Sequence, residues 1–256
     1  MSQTDSCSTQ WRQLREWFDS PLGRSLQAQE AHHLRTVLPN LYGTVAAQLG
    51  RIGEMDLMDS CIAPTRILLD DHGDTKGCRV RSIPEELPLD TKSTDVMILP
   101  HTLDFCDDPH QVLREVNRVL RPEGHVVILG FNPMSLWGFR RLIARRPRRA
   151  PWCGNFFRLS RVKDWLALLD FETTHGLMLY YRPPLRNEGF MQRLHFLDKM
   201  GDRWWPLMAG VYLVVAKKRV VGVTPLPLSW KTKRAVAAGA AQSTARGMIL
   251  PFQRKQ

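Results

Sequence analysis

The stretch DVMILPHTLDFCDDPHQVLREVNRVLRPEGHVVILGFNP, residues 95–133, decides the fold. Val96, Met97, Ile98 and Leu99 form a short unbroken apolar run, the pattern of a strand covered on both faces. Asp107 and Asp108 then offer a helix N-cap, and Pro109 stands where a first helical residue belongs. Val112, Leu113, Val116, Val119 and Leu120 recur at helical spacing, so one stripe faces a sheet. Arg121, Pro122 and Gly124 close the helix, and residues 126–129 open a second buried strand. A strand, a crossover helix and a parallel strand make a right-handed βαβ unit, which places this segment at the centre of an α/β sheet.

Working outward, residues 11–18 read as a short helix, and Ser20-Pro21 starts a second that runs to about residue 38. Its apolar positions, Leu22, Leu26, Leu34, Val37 and Leu38, share one broad face that covers the sheet edge or a pocket. Residues 45–49, 65–69, 79–83 and 95–100 supply the first four strands, with Asp70 and Asp71 at the carboxyl end of the second. Residues 134–146 read as a basic helix and 147–155 as a loop. Ser160 caps a helix with Val162, Trp165, Leu166 and Leu169 inward. Residues 172–181 and 211–216 are strand-like, while 183–206, rich in aromatic and basic residues, carries no clear pattern. From about residue 223 the chain turns to Pro, Ala, Gly, Ser and basic residues, too little apolar surface to offset ordering entropy, so a disordered tail is expected.

A chain of 256 residues can bury one sizeable core with peripheral additions. The net charge of +11 is local: Arg140, Arg141, Arg145, Arg146, Arg148 and Arg149 form one cluster, and Lys231, Lys233, Arg234, Arg246, Arg254 and Lys255 another. Five widely spaced cysteines without a CxxC pair argue against a disulfide framework or a zinc site, and no metal is expected. The amino terminus lacks the basic start and apolar stretch of a secretory signal, and apolar runs are strand-sized, so a cytoplasmic protein is expected.

The run H-T-L-x-x-x-x-D-P-x-x-x-L-R-E-x-x-R-V-L-R-P-x-G, residues 101–124, resembles the second half of the class I S-adenosylmethionine-dependent methyltransferases, in their type-11-like branch. In that family the segment matching LREVNRVLRPEG, residues 113–124, joins the fourth and fifth strands. The likeness is dense over residues 80–133 and looser over 41–74. It implies a Rossmann-like, doubly wound, mostly parallel sheet of about seven strands, with 172–181 and 211–216 as an antiparallel edge pair. The implied organisation is an N-terminal helical cap over residues 1–40, a methyltransferase-like domain over 41–222 and a basic tail over 223–256.

The resemblance also implies S-adenosylmethionine as cofactor, bound beyond the carboxyl ends of the strands where their order reverses. Gly50 and Gly53 would let the first loop approach the ligand, since a side chain there would take its space. Asp70 or Asp71 would accept from the ribose hydroxyls, and Ser82 and Ile83 occupy the adenine-binding place after the third strand. His101 matches a family position facing cofactor or substrate, where it would orient the acceptor or act as a base; the alternative is a structural histidine packed against the following helix with its ring nitrogens bonded to the backbone. Asp104 borders the same crevice, and His32 and His33 read as partly exposed helix residues. The chain departs from the pattern in the first loop, where Gln48 replaces the acid and Arg51 or Ile52 replaces a glycine. It departs again after the third strand, with no acid before Glu85.

These residues point to methyl transfer to a small or lipid-like acceptor; the departures point instead to a scaffold of the same fold without catalysis. A nucleic-acid methyltransferase is permitted by charge alone, without a supporting motif, and a nicotinamide dehydrogenase lacks its G-x-G-x-x-G. Arg140–Arg149 and the tail could touch an anionic surface. The plainer expectation for the basic helix is an apolar side packed on the sheet and arginines in solvent.

Overall fold

A computed structural model describes residues 3–53, 55–70, 79–143, 149–184 and 208–219, all within one compact unit, Met1–Val221. Asp71, most of 183–206, Arg145, Arg146, Arg148 and the tail from 223 lie outside the described residues.

Seven strands form one sheet in the order β3-β2-β1-β4-β5-β7-β6. They are β1 (Val45–Leu49), β2 (Thr65–Asp70), β3 (Arg79–Arg81), β4 (Thr94–Pro100), β5 (Leu120–Phe131), β6 (Phe171–Leu179) and β7 (Val211–Lys218). The first five run parallel, and β7 lies antiparallel between β5 and β6. Residues 211–216 are buried throughout, as a strand covered on both faces and paired on both edges must be.

Two apolar layers sandwich the sheet. On one face, α4 (Pro109–Val119) and α6 (Leu159–Leu168) pack Val112, Leu113, Val116, Val162 and Leu166 against Met97, Leu99 and Ile128. On the other, α1 (Gln3–Phe18) and α2 (Pro21–Val37) bring Leu14, Phe18, Leu26 and Leu34 against Ala46, Ile98 and Leu129. Ser20 caps α2, its Oγ accepting from Gly23 N at 3.2 Å. The described residues between β1 and β2 form turns, with no helix among them, so the N-terminal pair does the covering there.

The run that decided the fold is held by its arginines. Arg118 donates to Leu87 O and Leu89 O, both at 2.9 Å, and pairs with Glu115, fastening the β3–β4 connection to α4. Arg121 pairs with Asp95, whose carboxylate also accepts from Thr44 N and Val45 N, joining the starts of β1 and β4.

Several local expectations are corrected. The α4 cap is Asp108, which accepts from His110 N and Gln111 N; Asp107 instead donates its N–H to Glu85. Ser160 lies inside the first turn of α6, whose N-cap is Arg158 without a side-chain bond. The first helix starts at Gln3, well before residue 11. The basic helix is α5 (Leu136–Ile143), with Arg140 exposed as expected but most of the apolar side exposed as well. Trp137 and Gly138 are its buried residues, while Leu136, Phe139, Leu142 and Ile143 face out. One large aromatic is enough to seat so short a helix, leaving its aliphatic side free.

Candidate functional site

The strand order turns at the β1–β4 pair, with β2 and β3 on one side and β5 on the other. That is where a ligand crevice opens in a doubly wound sheet. The loop after β1 begins at Gly50, with φ +85°, and includes Gly53, with φ +56°, backbone values that favour glycine. Gly50 N donates to Leu69 O at 2.8 Å, Gln48 Nε2 to Gly50 O at 2.9 Å, and Thr102 Oγ1 to Leu49 O at 2.8 Å. The ends of β1, β2 and β4 are thereby tied together around the loop.

The N-terminal helices sit on this loop. A Cβ at Gly50 would come within 2.9 Å of the Trp11 ring, and one at Gly53 would strike the Gln27 amide. Gln27 Nε2 donates to Ile52 O at 2.7 Å, and Ile52 is fully buried in the core layer under α1 and α2. Asp70, buried at the end of β2, pairs with Arg15 of α1, whose Nε also donates to Arg51 O at 3.2 Å. Ser82 N donates to Asp70 O, and its hydroxyl donates to Ile83 O at 3.0 Å within a turn; Ile83 itself is exposed.

His101 follows β4 in the left-handed region, φ +54°, and is 0 % exposed. One ring nitrogen lies 2.9 Å from Glu30 of α2 and the other 3.2 Å from Asp104, in the short helix α3 (Thr102–Phe105). The Phe131 ring stacks on it at 4.1 Å between centroids, and Phe131 N donates to Asp104 Oδ2 at 2.9 Å. Burial pulls the His101 pKa down, but the charges of Glu30 and Asp104 and their hydrogen bonds outweigh it and raise it to about 9. The ring is thus protonated at neutral pH. Burial raises the Asp104 pKa, with the bond to His101 opposing. A buried ion of this kind persists only because both sides are paired.

Gly50, Gly53 and Asp70 therefore lie at the carboxyl ends of β1 and β2 beneath α1 and α2, His101 lies buried after β4 beneath α2, and Ser82 stands at the neighbouring strand end. Trp11, Arg15, Gln27 and Glu30 were missed in the sequence. Glu30 did leave a signal: it stands in the Leu26–Leu34 stripe at four-residue spacing, a carboxylate on a face that must be buried.

S-adenosylmethionine fits this donor set in kind. Two positive-φ glycines form a cradle that a Cβ would fill, and a buried carboxylate ends β2. Glu30 Oε2 and Asp104 Oδ1 are buried acceptors without a partner, and both belong to the His101 cluster. The closed arrangement gives the same cradle to the chain's own side chains, with Trp11 over Gly50, Gln27 over Gly53 and Arg15 on Asp70.

Comparison with known proteins agrees with the geometry. Residues 42–128 match the family model described as a methyltransferase domain. The chain is 31% identical over 212 residues to the uncharacterized protein YafS of Escherichia coli (strain K12), covering 83% of this chain and 84% of that one. It is 34% identical over 101 residues to the ubiquinone/menaquinone biosynthesis C-methyltransferase UbiE of Idiomarina loihiensis, covering 38% and 40%. Among solved structures, a Thermotoga maritima S-adenosylmethionine-dependent methyltransferase, described as a possible histamine N-methyltransferase, superposes with a TM-score of 0.57 at 15% identity. It covers 82% of this chain and 100% of that one, a likeness of fold.

Proposed function

This chain belongs to the class I S-adenosylmethionine-dependent methyltransferase superfamily, and from that premise we propose that it transfers a methyl group to a small, lipid-like acceptor. The observation that carries the reading is Asp70, a buried carboxylate at the end of β2 beside a positive-φ glycine loop, at the reversal of strand order. S-adenosylmethionine, when bound, would supply an electrophilic methyl group on a sulfonium. Asp70 would accept hydrogen bonds from the ribose hydroxyls, and Gly50 and Gly53 would give the closest backbone approach. Ser82 and Ile83, after β3, would border the adenine. The free oxygens of Glu30 and Asp104 suit a cationic group, replacing the acid that Gln48 lacks.

His101 works here as a positioning residue. Its proton, shared with two carboxylates at neutral pH, leaves no lone pair for a general base. Alignment of acceptor and methyl carbon is then the main catalytic contribution, and the hairpin of α1 and α2 keeps water out. The lipid-like class is supported by the partial likeness to the Idiomarina ubiquinone/menaquinone biosynthesis C-methyltransferase and by the apolar rim beyond β5, where Met134, Phe139 and Leu142 are exposed.

Titration calorimetry with S-adenosylmethionine and S-adenosylhomocysteine is the test. We expect micromolar to sub-millimolar binding, lost by about tenfold or more in Asp70→Asn, since a charge-assisted hydrogen bond to a buried acid is worth roughly 1.5–3 kcal/mol. Transfer of labelled methyl groups into the lipid fraction of a source-cell extract, and not the aqueous fraction, would support the acceptor class. A second reading, a scaffold without catalysis, draws on Gln48, Ile52 and the Arg15–Asp70 pair. Absence of binding at millimolar ligand would favour it.

A further inference from the structure

The surface beyond the carboxyl end of β5 is at odds with an ordinary helix face. Phe139 is 60% exposed, Ile143 65% and Leu142 78%, and Met134 and Leu136 are exposed beside them. Meanwhile the two arginines of α5 lean back on the protein. The Arg140 guanidinium lies 4.5 Å from the Trp152 ring centroid and donates to Pro184 O. The Arg141 guanidinium lies 5.1 Å from the Phe156 ring and donates to Trp152 O at 3.2 Å. Exposed aliphatic and aromatic groups thus stand beside guanidinium heads that fold onto Trp152 and Phe156, Arg140 remaining exposed as well. A groove of about 630 Å³ runs along the helix between Phe139, Leu142, Trp152 and Phe156, with Arg141 at its wall.

In water this order is unfavourable, because each exposed Leu or Phe forgoes the gain of burying its apolar surface. At a bilayer surface it is the favourable order. Apolar groups enter the acyl boundary while arginines meet the phosphates some ångströms above. Charge complementarity selects the occupant: residues 134–149 carry six arginines and not one carboxylate. An acidic lipid surface matches that, whereas a second copy of this face would set arginines against arginines.

We propose that α5 and its flanks dock this protein on anionic phospholipid bilayers, with Phe139, Leu142 and Ile143 inserted and Arg140, Arg141 and Arg149 at the headgroups. The face adjoins the end of β5, where Phe131 stacks on His101 and Trp137 stacks on Phe131 at 5.9 Å, so docking would set the crevice rim against the membrane. The inference goes beyond methyl transfer and does not need it, because vesicle binding involves neither donor nor acceptor.

The test is flotation of the full chain with vesicles of phosphatidylcholine alone or with about a third phosphatidylglycerol. We expect binding to the mixed vesicles, weakened at least tenfold by Phe139→Ser/Leu142→Ser and severalfold by Arg140→Gln/Arg141→Gln. Phe139→Ser/Leu142→Ser should keep the far-ultraviolet circular dichroism and melting temperature of the parent, since those side chains are exposed, whereas Arg140→Gln/Arg141→Gln, which also loses bonds to Pro184 O and Trp152 O, is compared below its own melting transition. A Leu142→Trp variant should show a blue-shifted emission on mixed vesicles. Three outcomes would overturn the proposal. One is no flotation at millimolar lipid. Another is flotation unchanged in Phe139→Ser/Leu142→Ser, which would assign binding to charge elsewhere in the chain. The third is light scattering that shows a dimer made monomeric by that double substitution, which would make the face a contact between copies.

Discussion

Glu30, His101 and Asp104 put three ionisable groups in a space closed to solvent, and the cluster can be examined one proton at a time. The His101 pKa of about 9 stands above its unfolded value, so the charged ring contributes stability that is full below about pH 6.5 and is lost as pH rises through 9. The expected outcome is a melting temperature that falls by a few degrees between pH 7 and pH 9.5, more steeply than in His101→Asn. Arg141 acts on Asp104 from a neighbouring element, and Asp104 in turn acts on Tyr212 of β7, so both belong in the control set. Glu30→Gln keeps a hydrogen-bonding group beside the ring but removes a charge. The imidazole titration, followed by nitrogen NMR, should then move down from 9 toward 6.5; an unmoved midpoint would show that Glu30 contributes no charge. Arg15 supplies a second residue-scale prediction. It is partly exposed, so its pair with Asp70 is worth at most about 1 kcal/mol, and Arg15→Ala should tighten S-adenosylhomocysteine binding roughly three- to fivefold. Weaker binding would instead make Arg15 part of the cradle.

At the scale of elements, the β4–α4–β5 unit was legible because its signals are local: an apolar run, a cap, a proline and a stripe lie within forty residues of one another. The loop after β1 was half legible. Its glycines could be read, but what stands over them comes from α1 and α2, whose contacts with the loop span from 25 to about forty positions along the chain and leave no short-range pattern. Arg15 and Trp11 carry no sign of their partners, whereas Glu30 interrupts a buried stripe. The α5 orientation was misread for a related reason. Periodicity says that one side is apolar, but Trp137 alone chose which side turned inward. Gly50 tests the hairpin contact. Alanine at φ +85° would be strained by about 1 kcal/mol or more. It would also meet the Trp11 ring, so Gly50→Ala should cost more than strain alone. In a double-mutant cycle, Trp11→Ala should recover the packing share and leave the strain. Strict additivity in denaturant melts would mean that the indole has no hold on the loop.

For the whole molecule, the layers of this protein differ in origin. One face of the sheet is covered by α4 and α6, threaded between strands, and the other by a hairpin that precedes the first strand. A hairpin outside the run of strands can lift without breaking strand pairing, whereas a crossover helix cannot. Over the loop after β1 it is held by Arg15 on Asp70, Gln27 on Ile52 O and Glu30 on His101, and behind them by the buried Leu14, Phe18, Leu26 and Leu34. Opening that breaks the polar contacts and spares most of that apolar packing should be a local event, cheaper than global unfolding. If ligand enters only when the hairpin lifts, the apparent affinity is reduced by the open fraction, and association is limited by opening. Stopped-flow tryptophan fluorescence with S-adenosylhomocysteine should then give an observed rate that levels off as ligand rises. Trp11→Phe should remove much of the amplitude while keeping the plateau. Glu30→Gln and Gln27→Ala, which loosen the hairpin, should raise the plateau severalfold and leave the global melting transition single. A rate that climbs in proportion to ligand across the accessible range would mean that the crevice is already open in solution, and that the hairpin is a fixed wall of the pocket.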